Sequence, residues 1–180
     1  MKPLRYLPHY TYDDYKLWEG DWELIQGIPY SMSPSPVWNH QLLSARLITL
    51  ISTSLTNKKS SCNDCSVVHD VDWIIDDDTI VRPDIMIVCG KVTTPFLKFP
   101  PTLIVEILSP GTAIKDRTLK FDIYEQQKVK YYLLADPVSQ TLKIFMLTDN
   151  GYIESTTAVF NLKDKCKLNL DIAAIVKAKK

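Results

Sequence analysis

The chain has 180 residues, of which 46% are hydrophobic and 23% charged, and its 21 basic side chains balance 21 acidic ones. This composition excludes a disordered tail, a coiled coil and a collagen-like fibre. The zero net charge also excludes a polycation that coats nucleic acid non-specifically, although one face can still be basic. The length predicts a single domain over 1–180, with an N-terminal strap over 1–20 and a core over about 21–160.

The N-terminal half predicts one long helix and two pairs of strands. Leucine and isoleucine residues recur at three- and four-residue spacing over 38–55, the period of an amphipathic helix. Runs rich in β-branched and aromatic residues predict strands, and the turns between them contain Gly27 and the acidic run 76–78. The predicted strands cover 21–26, 28–33, 66–75 and 79–88.

The C-terminal half predicts a second helix between strands. The helix covers 114–127, and a hairpin turn is expected at Asn150-Gly151, where glycine supplies a positive φ. The resulting order is ββ, helix, βββ, helix, βββ. We therefore expect an α/β (mixed α+β) fold with a central mixed sheet flanked by helices. The predicted strands of this half cover 102–108, 130–135, 141–147 and 152–157.

The sequence predicts neither a membrane-spanning segment nor a signal peptide. No apolar stretch approaches the roughly 20 residues that span a bilayer, and the first residues lack the apolar run of a signal peptide. We therefore expect a cytoplasmic protein that has no membrane partner.

Four cysteines are scattered along the sequence, at Cys62, Cys65, Cys89 and Cys166. They are too few and too dispersed to predict a disulfide framework in a chain of this length. The pair Cys62 and Cys65, with His69 four residues on, has the spacing of zinc ligands, but no second pair of suitable spacing follows it. The sequence therefore predicts neither disulfides nor zinc.

Two acids interrupt otherwise apolar strands: Asp84 in the predicted strand 79–88 and Glu106 in the predicted strand 102–108. Near-continuous aliphatic strands are usually covered on both faces, so both carboxylates are expected at or near the core. An unpaired ion there is costly unless a cation, hydrogen bonds or a raised pKa compensates.

Two interpretations of these acids are open. Each acid could form a structural ion pair with a buried base, for instance Arg82 or Arg117. Alternatively, both could bind one divalent cation, and carboxylate oxygens are ligands that suit Mg²⁺ or Mn²⁺. The second interpretation makes the pair a candidate catalytic site.

Lys120 is a third candidate. In the predicted helix it shares a face with Asp116 and Tyr124 at a spacing of four residues. From the edge of that packed face its long side chain can reach the strand ends, where it would stabilise developing charge or orient a nucleophile. The alternative is a solvated helix lysine, which is the common case for this residue type.

Several short segments follow one another in a characteristic order from about Trp22 to Leu147. They are Trp22-Glu23-Leu24-Ile25-Gln26-Gly27, Ser33-Pro34-Ser35-Pro36, His40-Gln41, Arg82-Pro83-Asp84, Val105-Glu106-Ile107-Leu108-Ser109-Pro110-Gly111-Thr112, Asp116 with Lys120 and Tyr124, and Ala135-Asp136-Pro137. Their joint order resembles the restriction endonuclease-like family of the PD-(D/E)xK nuclease superfamily.

The resemblance implies a restriction-endonuclease-like core and Mg²⁺-dependent (or Mn²⁺-dependent) hydrolysis of DNA phosphodiester bonds. Asp84 and Glu106 match the catalytic acids that bind the metal. Two residues after Glu106, where the superfamily places a lysine, this chain has Leu108. Families of this kind supply the lysine from the following helix, and Lys120 matches that displaced position.

The resemblance also assigns roles to Glu23 and His40. Glu23 matches an acid that completes the metal shell, and His40 matches a motif histidine that meets a phosphate or a bound water. From the residues alone, Glu23 can equally be an exposed hairpin residue and His40 a capping or surface histidine.

The preferred interpretation is a metal-dependent DNA endonuclease, and the resemblance implies a homodimer, because two strands need two sites. Two alternatives remain open: a catalytically inactive module that kept the fold and binds nucleic acid or protein, and a hydrolase of RNA or a small phosphoester. The chain has no glycine-rich phosphate loop, so no nucleotide cofactor is expected. The N-terminal aromatic residues are interpreted as a strap over the chain's own core, with contacts to a partner subunit or to bases as the alternative.

Overall fold

Three β-sheets of six, four and two strands are formed by the residues that the computed structural model describes, which are 7–32, 37–57, 61–171 and 175. The helices are Tyr12–Tyr15 (α1), Trp38–Thr56 (α2), Ala113–Arg117 (α3) and Leu119–Gln126 (α4). The strands are Trp22–Ile25 (β1), Ile28–Ser31 (β2), Cys65–His69 (β3), Trp73–Ile74 (β4), Ile80–Val81 (β5), Ile85–Cys89 (β6), Leu103–Ile107 (β7), Tyr131–Asp136 (β8), Thr141–Thr148 (β9), Gly151–Ser155 (β10), Val159–Lys163 (β11) and Cys166–Asn169 (β12).

The larger sheet has six strands in the order β10-β9-β8-β7-β6-β3. Strands β7 and β8 are parallel, because α3 and α4 connect them, and the other neighbours are antiparallel. The predicted mixed central sheet is therefore confirmed. The predicted proline-containing loop at 33–36 lies outside the described residues.

The long hairpin around residues 76–78 contributes to both sheets, whereas the sequence predicted two uninterrupted strands. Asp70 has a positive φ of 50°, which ends β3, and Pro83, which cannot donate a backbone hydrogen bond, separates β5 from β6. The tip strands β4 and β5 join β1 and β2 in a four-stranded sheet of order β2-β1-β5-β4. The chain therefore runs from β3 of the large sheet through β4 and β5 of the small sheet and back to β6 of the large sheet.

Apolar residues cover both faces of the large sheet. Leu47 and Ile51 of α2 pack on one face, where the β11-β12 hairpin also lies. Ile123 and Tyr124 of α4 pack on the other face, together with Trp73 of the small sheet. This two-sided burial agrees with the aliphatic character of β6 and β7.

The second predicted helix is divided. Thr118 has φ −127° and ψ −84°, which interrupts the helix between α3 and α4. The sequence did not predict β11 and β12, whose exposed and buried residues alternate in a short hairpin that also contains a register irregularity.

The N-terminal aromatic residues that the structure describes pack on the small sheet. Tyr12, Tyr15 and Trp18 contact the cluster of Leu24, Ile74 and Ile80. Tyr15 also donates a hydrogen bond from its hydroxyl to Asp72 Oδ2 over 3.0 Å. These side chains therefore lie against the chain's own core, and Tyr6 lies outside the described part.

The cysteines are paired, which corrects the prediction of no disulfides. Cys62 is bonded to Cys166 and Cys65 to Cys89. The sequence alone did not indicate this pairing, because the bonded cysteines are 104 and 24 residues apart and only the tertiary fold brings them together. In the part of the chain that the structure describes, no helix combines the length and apolar character needed to cross a bilayer.

Gly151 begins β10 in a conformation that disfavours any side chain. Its φ is +99°, and a Cβ built there would lie 2.6 Å from Glu125 Oε1. We expect Gly151→Ala to lower the free energy of unfolding by more than about 1 kcal/mol, measured by urea denaturation. Gly111→Ala is the control because no atom lies within 4 Å of its built Cβ. Equal midpoints for the two variants would contradict the prediction.

Candidate active site

The alternation of side chains along β7 places Glu106 on the face of the large sheet that packs against α4. Along β7, Leu103, Val105 and Ile107 face α2, while Ile104 belongs to the opposite face of the sheet. Because side chains alternate, Glu106 shares the face of Ile104. Glu106 is 2% exposed, so its carboxylate lies inside the protein.

Asp84 lies beside Glu106 because of the register of β6 and β7. Ile85 pairs with Val105 in antiparallel register, and the next position along each strand brings Asp84 and Glu106 together. The backbone N–H of Ile107 donates to Asp84 Oδ2 over 2.6 Å, and that of Asp84 donates to Glu106 Oε2 over 3.4 Å. The two predicted acids are therefore adjacent.

Glu23 reaches the same place from the small sheet. It lies in β1, is fully buried, and its Oε1 accepts a hydrogen bond from the backbone N–H of Arg82 over 2.9 Å. This position excludes the alternative of an exposed hairpin residue. Its nearest cations are on α3 and α4.

Lys120 connects the acids of the two sheets. Its Nζ lies 2.7 Å from Glu23 Oε1, 2.9 Å from Glu106 Oε1 and 3.8 Å from Asp116 Oδ1. Lys120 is 3% exposed, which excludes a solvated helix lysine. Tyr124, one turn further on, donates its hydroxyl to Glu106 Oε1 over 2.7 Å.

Sequence reasoning did not propose Lys115, Asp116 or Tyr124 as site residues. Lys115 donates a hydrogen bond to Glu23 Oε2, and Asp116 is 1% exposed. The four-residue spacing of Asp116, Lys120 and Tyr124 was the signal that could have found two of them. Lys115 carried no such signal, because its contact depends on how α3 meets the small sheet.

His40 lies on the other side of Asp84. It is buried in the first turn of α2, and its Nε2 lies 3.3 Å from Asp84 Oδ2. Burial lowers the pKa of His40, but the hydrogen bond and charge of Asp84 outweigh that effect and leave its pKa above the usual value. The structure thus brings all five predicted site residues together, and the alternative of a surface histidine is wrong.

The arginines form other ion pairs. Arg82 Nε lies 2.7 Å from Asp72 Oδ1, and its Nη1 lies 2.6 Å from Asp21 Oδ1. Arg117 Nη2 is 4.0 Å from Asp136 Oδ2. Neither arginine therefore pairs with Asp84 or Glu106, and the buried bases beside these acids are His40 and Lys120.

The acids of the site differ in proton affinity. Burial raises the pKa of Glu106 well above its usual value, and the charge of Lys120 only partly opposes this. Burial likewise raises the pKa of Asp116.

The other two acids have lowered pKa values. For Glu23, burial raises the pKa, but the nearby ammonium groups of Lys120 and Lys115 outweigh this effect, so the pKa falls. For Asp84, the hydrogen bond and charge of His40 outweigh burial, and its pKa is also lowered.

The donor set fits a divalent cation. Glu23, Asp84, Glu106 and Asp116 carry four negative charges when ionised, against two from Lys115 and Lys120. Asp116 Oδ1 is buried without a hydrogen-bond partner, so an oxygen ligand is available. Among the described residues no three His, Cys, Asp or Glu side chains already surround a common point as metal ligands do. A bound cation would therefore need the contacts of Lys120 to rearrange.

The chain is similar to known proteins in sequence and in fold. The chain is 29% identical over 154 residues to the uncharacterized protein slr1290 of Synechocystis sp., an alignment covering 80% of this chain and 77% of that protein. A crystal structure of a protein from Anabaena variabilis, described as a putative nuclease belonging to DUF820, superposes with a TM-score of 0.71 and 16% identity. The superposition covers 92% of this chain and 97% of that one, and shows that the two share a fold.

A family profile identifies the chain directly. The Uma2 profile, described as "Putative restriction endonuclease", matches residues 12–173. That segment contains Glu23, His40, Asp84, Glu106 and Lys120. This chain therefore belongs to the Uma2 family of restriction endonuclease-like proteins.

Proposed function

We propose that this chain is a divalent-metal-dependent endonuclease that hydrolyses DNA phosphodiester bonds. The observation that carries the proposal is the convergence of carboxylates from β1, β7 and α3 on one buried lysine, with Asp84 held beside Glu106 by the N–H of Ile107. Membership of the Uma2 family supports the reaction class. The identity of the substrate as DNA and the requirement for a divalent metal are additional parts of this proposal.

In this proposal Asp84, Glu106 and Glu23 hold Mg²⁺ or Mn²⁺, and Asp116 offers a further oxygen. The ion would polarise a phosphate and lower the pKa of an attacking water. With the ion bound, the ammonium group of Lys120 would move away from Glu23 and Glu106 and supply positive charge where the phosphate becomes more negative. His40 orients Asp84 from the opposite side and can donate a hydrogen bond to a phosphate oxygen.

Metal removal tests the proposal. We expect the purified chain to convert supercoiled plasmid to nicked circles with Mg²⁺ or Mn²⁺, and to lose this activity completely in EDTA. Isothermal titration with each metal measures binding in parallel. Metal binding without cleavage of duplex DNA, single-stranded DNA or RNA would contradict the proposal.

One observation favours a second candidate, an inactive module of the same fold. Lys120 already neutralises part of the charge of Glu23 and Glu106, and Leu108 stands where the superfamily has its lysine. A module of this kind would bind nucleic acid without cutting it and would bind no Mg²⁺ at millimolar concentration. The titration therefore separates the two candidates, and preferential turnover of RNA or a small phosphoester would identify a different substrate class.

We also propose that the chain acts as a homodimer, since cleavage of both strands of a duplex needs two sites. Sedimentation equilibrium of the purified chain measures the assembly directly. A monomer that nicks one strand per encounter would contradict the dimer and leave the proposed chemistry intact.

A further inference from the structure

The fold gathers all four cysteines at one place, far apart in sequence. Cys62 and Cys65 bracket a tight turn in which the N–H of Cys65 donates to the carbonyl of Cys62 over 3.0 Å. Cys89 lies directly opposite Cys65 on β6, with their Cα atoms 4.0 Å apart. Cys166, at the start of β12, has its Cα 4.7 Å from that of Cys62.

The two cysteine pairs are in contact with each other. Cys65 Sγ lies 3.8 Å from Cys166 Sγ, although these atoms belong to different disulfides. Four sulfurs held about 2.3 Å from a zinc ion are separated by roughly 3.8 Å along the edges of the tetrahedron. The distance between Cys65 Sγ and Cys166 Sγ thus already matches one edge of a tetrathiolate site.

We propose that the reduced chain binds one Zn²⁺ ion through Cys62, Cys65, Cys89 and Cys166. The disulfide-bonded sulfurs of the oxidised chain have no thiolate to offer a metal. Reduction of each disulfide by a phosphine, with water, yields two thiols and one phosphine oxide. Zn²⁺ then replaces the four thiol protons, and soft thiolates select it over Mg²⁺.

Two cysteines of the cluster are buried. Cys62 and Cys166 are each 2% exposed, so a bound ion would be shielded from solvent. Inside the turn, the charge of Asp64 is balanced by Lys163, whose Nζ lies 3.5 Å from Asp64 Oδ2.

His69, which the sequence placed near the cysteine pair, is not a fifth candidate. It stands at the opposite end of β3 from Cys65 and pairs with Asp70 Oδ2 over 3.2 Å. Four residues of strand separate the two side chains by about 13 Å. The site therefore consists of sulfur ligands alone, and it joins the α2-β3 connection, the end of β6 and the C-terminal hairpin.

Cobalt spectroscopy tests the site on the full chain. After phosphine reduction without oxygen, we expect one equivalent of Co²⁺ to produce the intense visible bands of a tetrahedral tetrathiolate, and one equivalent of Zn²⁺ to abolish them. The oxidised chain should show no bands. Absence of the bands in the reduced chain would overturn the proposal.

Variants and alkylation distinguish the cysteines from the acidic site. We expect Cys89→Ser and Cys166→Ser to lose the tetrathiolate spectrum, while His69→Ala retains it. If a serine variant fails to fold, alkylation of the unaltered reduced chain tests the same ligands. We expect Zn²⁺ to protect all four thiols from alkylation and a chelator to restore their reactivity. Zinc bound with the thiols still reactive would place the metal at the carboxylates and refute the proposal.

Discussion

Asp84→Asn is expected to abolish metal-dependent DNA cleavage without unfolding the chain. The substitution keeps the shape of the side chain and one acceptor oxygen for the N–H of Ile107, which donates over 2.6 Å. It removes one anionic ligand of the proposed metal and the charge that faces His40 over 3.3 Å. Because the ion would bind more weakly and be wrongly placed, we expect nicking to fall to the level without enzyme.

The measurement is plasmid nicking at saturating Mg²⁺, with calorimetric metal binding and thermal unfolding as companions. Asp122→Asn is the matched control, since it makes the same chemical change on the exposed face of α4. We expect this control to cleave and unfold like the parent. An Asp84→Asn protein that is folded and cuts at the parental rate would show that Asp84 is not a metal ligand.

Of the substitutions considered, we expect Lys120→Met to lower the free energy of unfolding the most. Methionine fills a similar volume but leaves the buried carboxylates of Glu23 and Glu106 without the ammonium group that lies 2.7 and 2.9 Å from them. Removing one partner of a buried ion pair costs about 3–5 kcal/mol. Lys143→Met is the control, because Lys143 pairs with Glu154 at the surface over 3.5 Å and such pairs contribute less than about 1 kcal/mol.

A double substitution shows whether buried charge causes that loss. Glu23 keeps Lys115 and the N–H of Arg82 when Lys120 is replaced, whereas Glu106 keeps only neutral donors. Adding Glu106→Gln to Lys120→Met should therefore recover much of the stability, as measured by urea denaturation of all four proteins in the cycle. Additive losses in the double variant would indicate a packing effect instead.

The part of the fold that is encoded locally was predictable from the sequence. The long apolar period of α2, the aliphatic β7 and the Asn150-Gly151 turn each identify their element without tertiary information. The same applies to Asp84 and Glu106, because an acid within an aliphatic strand is conspicuous. Lys120 needed the family resemblance, since nothing in its own helix distinguishes it from a solvated lysine.

The remainder depends on contacts between distant segments. The breaks at Asp70 and Pro83 assign the two ends of one hairpin to different sheets, which alternation of residues along a strand cannot reveal. The role of Lys115 depends on the meeting of α3 with β1, and the pairing of Cys166 with Cys62 spans 104 residues. Such features are set by tertiary packing and leave little trace in local patterns.

The position of Glu23 has a mechanical consequence. Its carboxylate is carried by the small sheet, while Glu106 belongs to the large one, so their separation follows the angle between the sheets. Tyr15 anchors the N-terminal segment on the small sheet, since its hydroxyl donates to Asp72 and to the carbonyl of Trp22. A rotation of the small sheet against the large one would therefore change the spacing of the carboxylates.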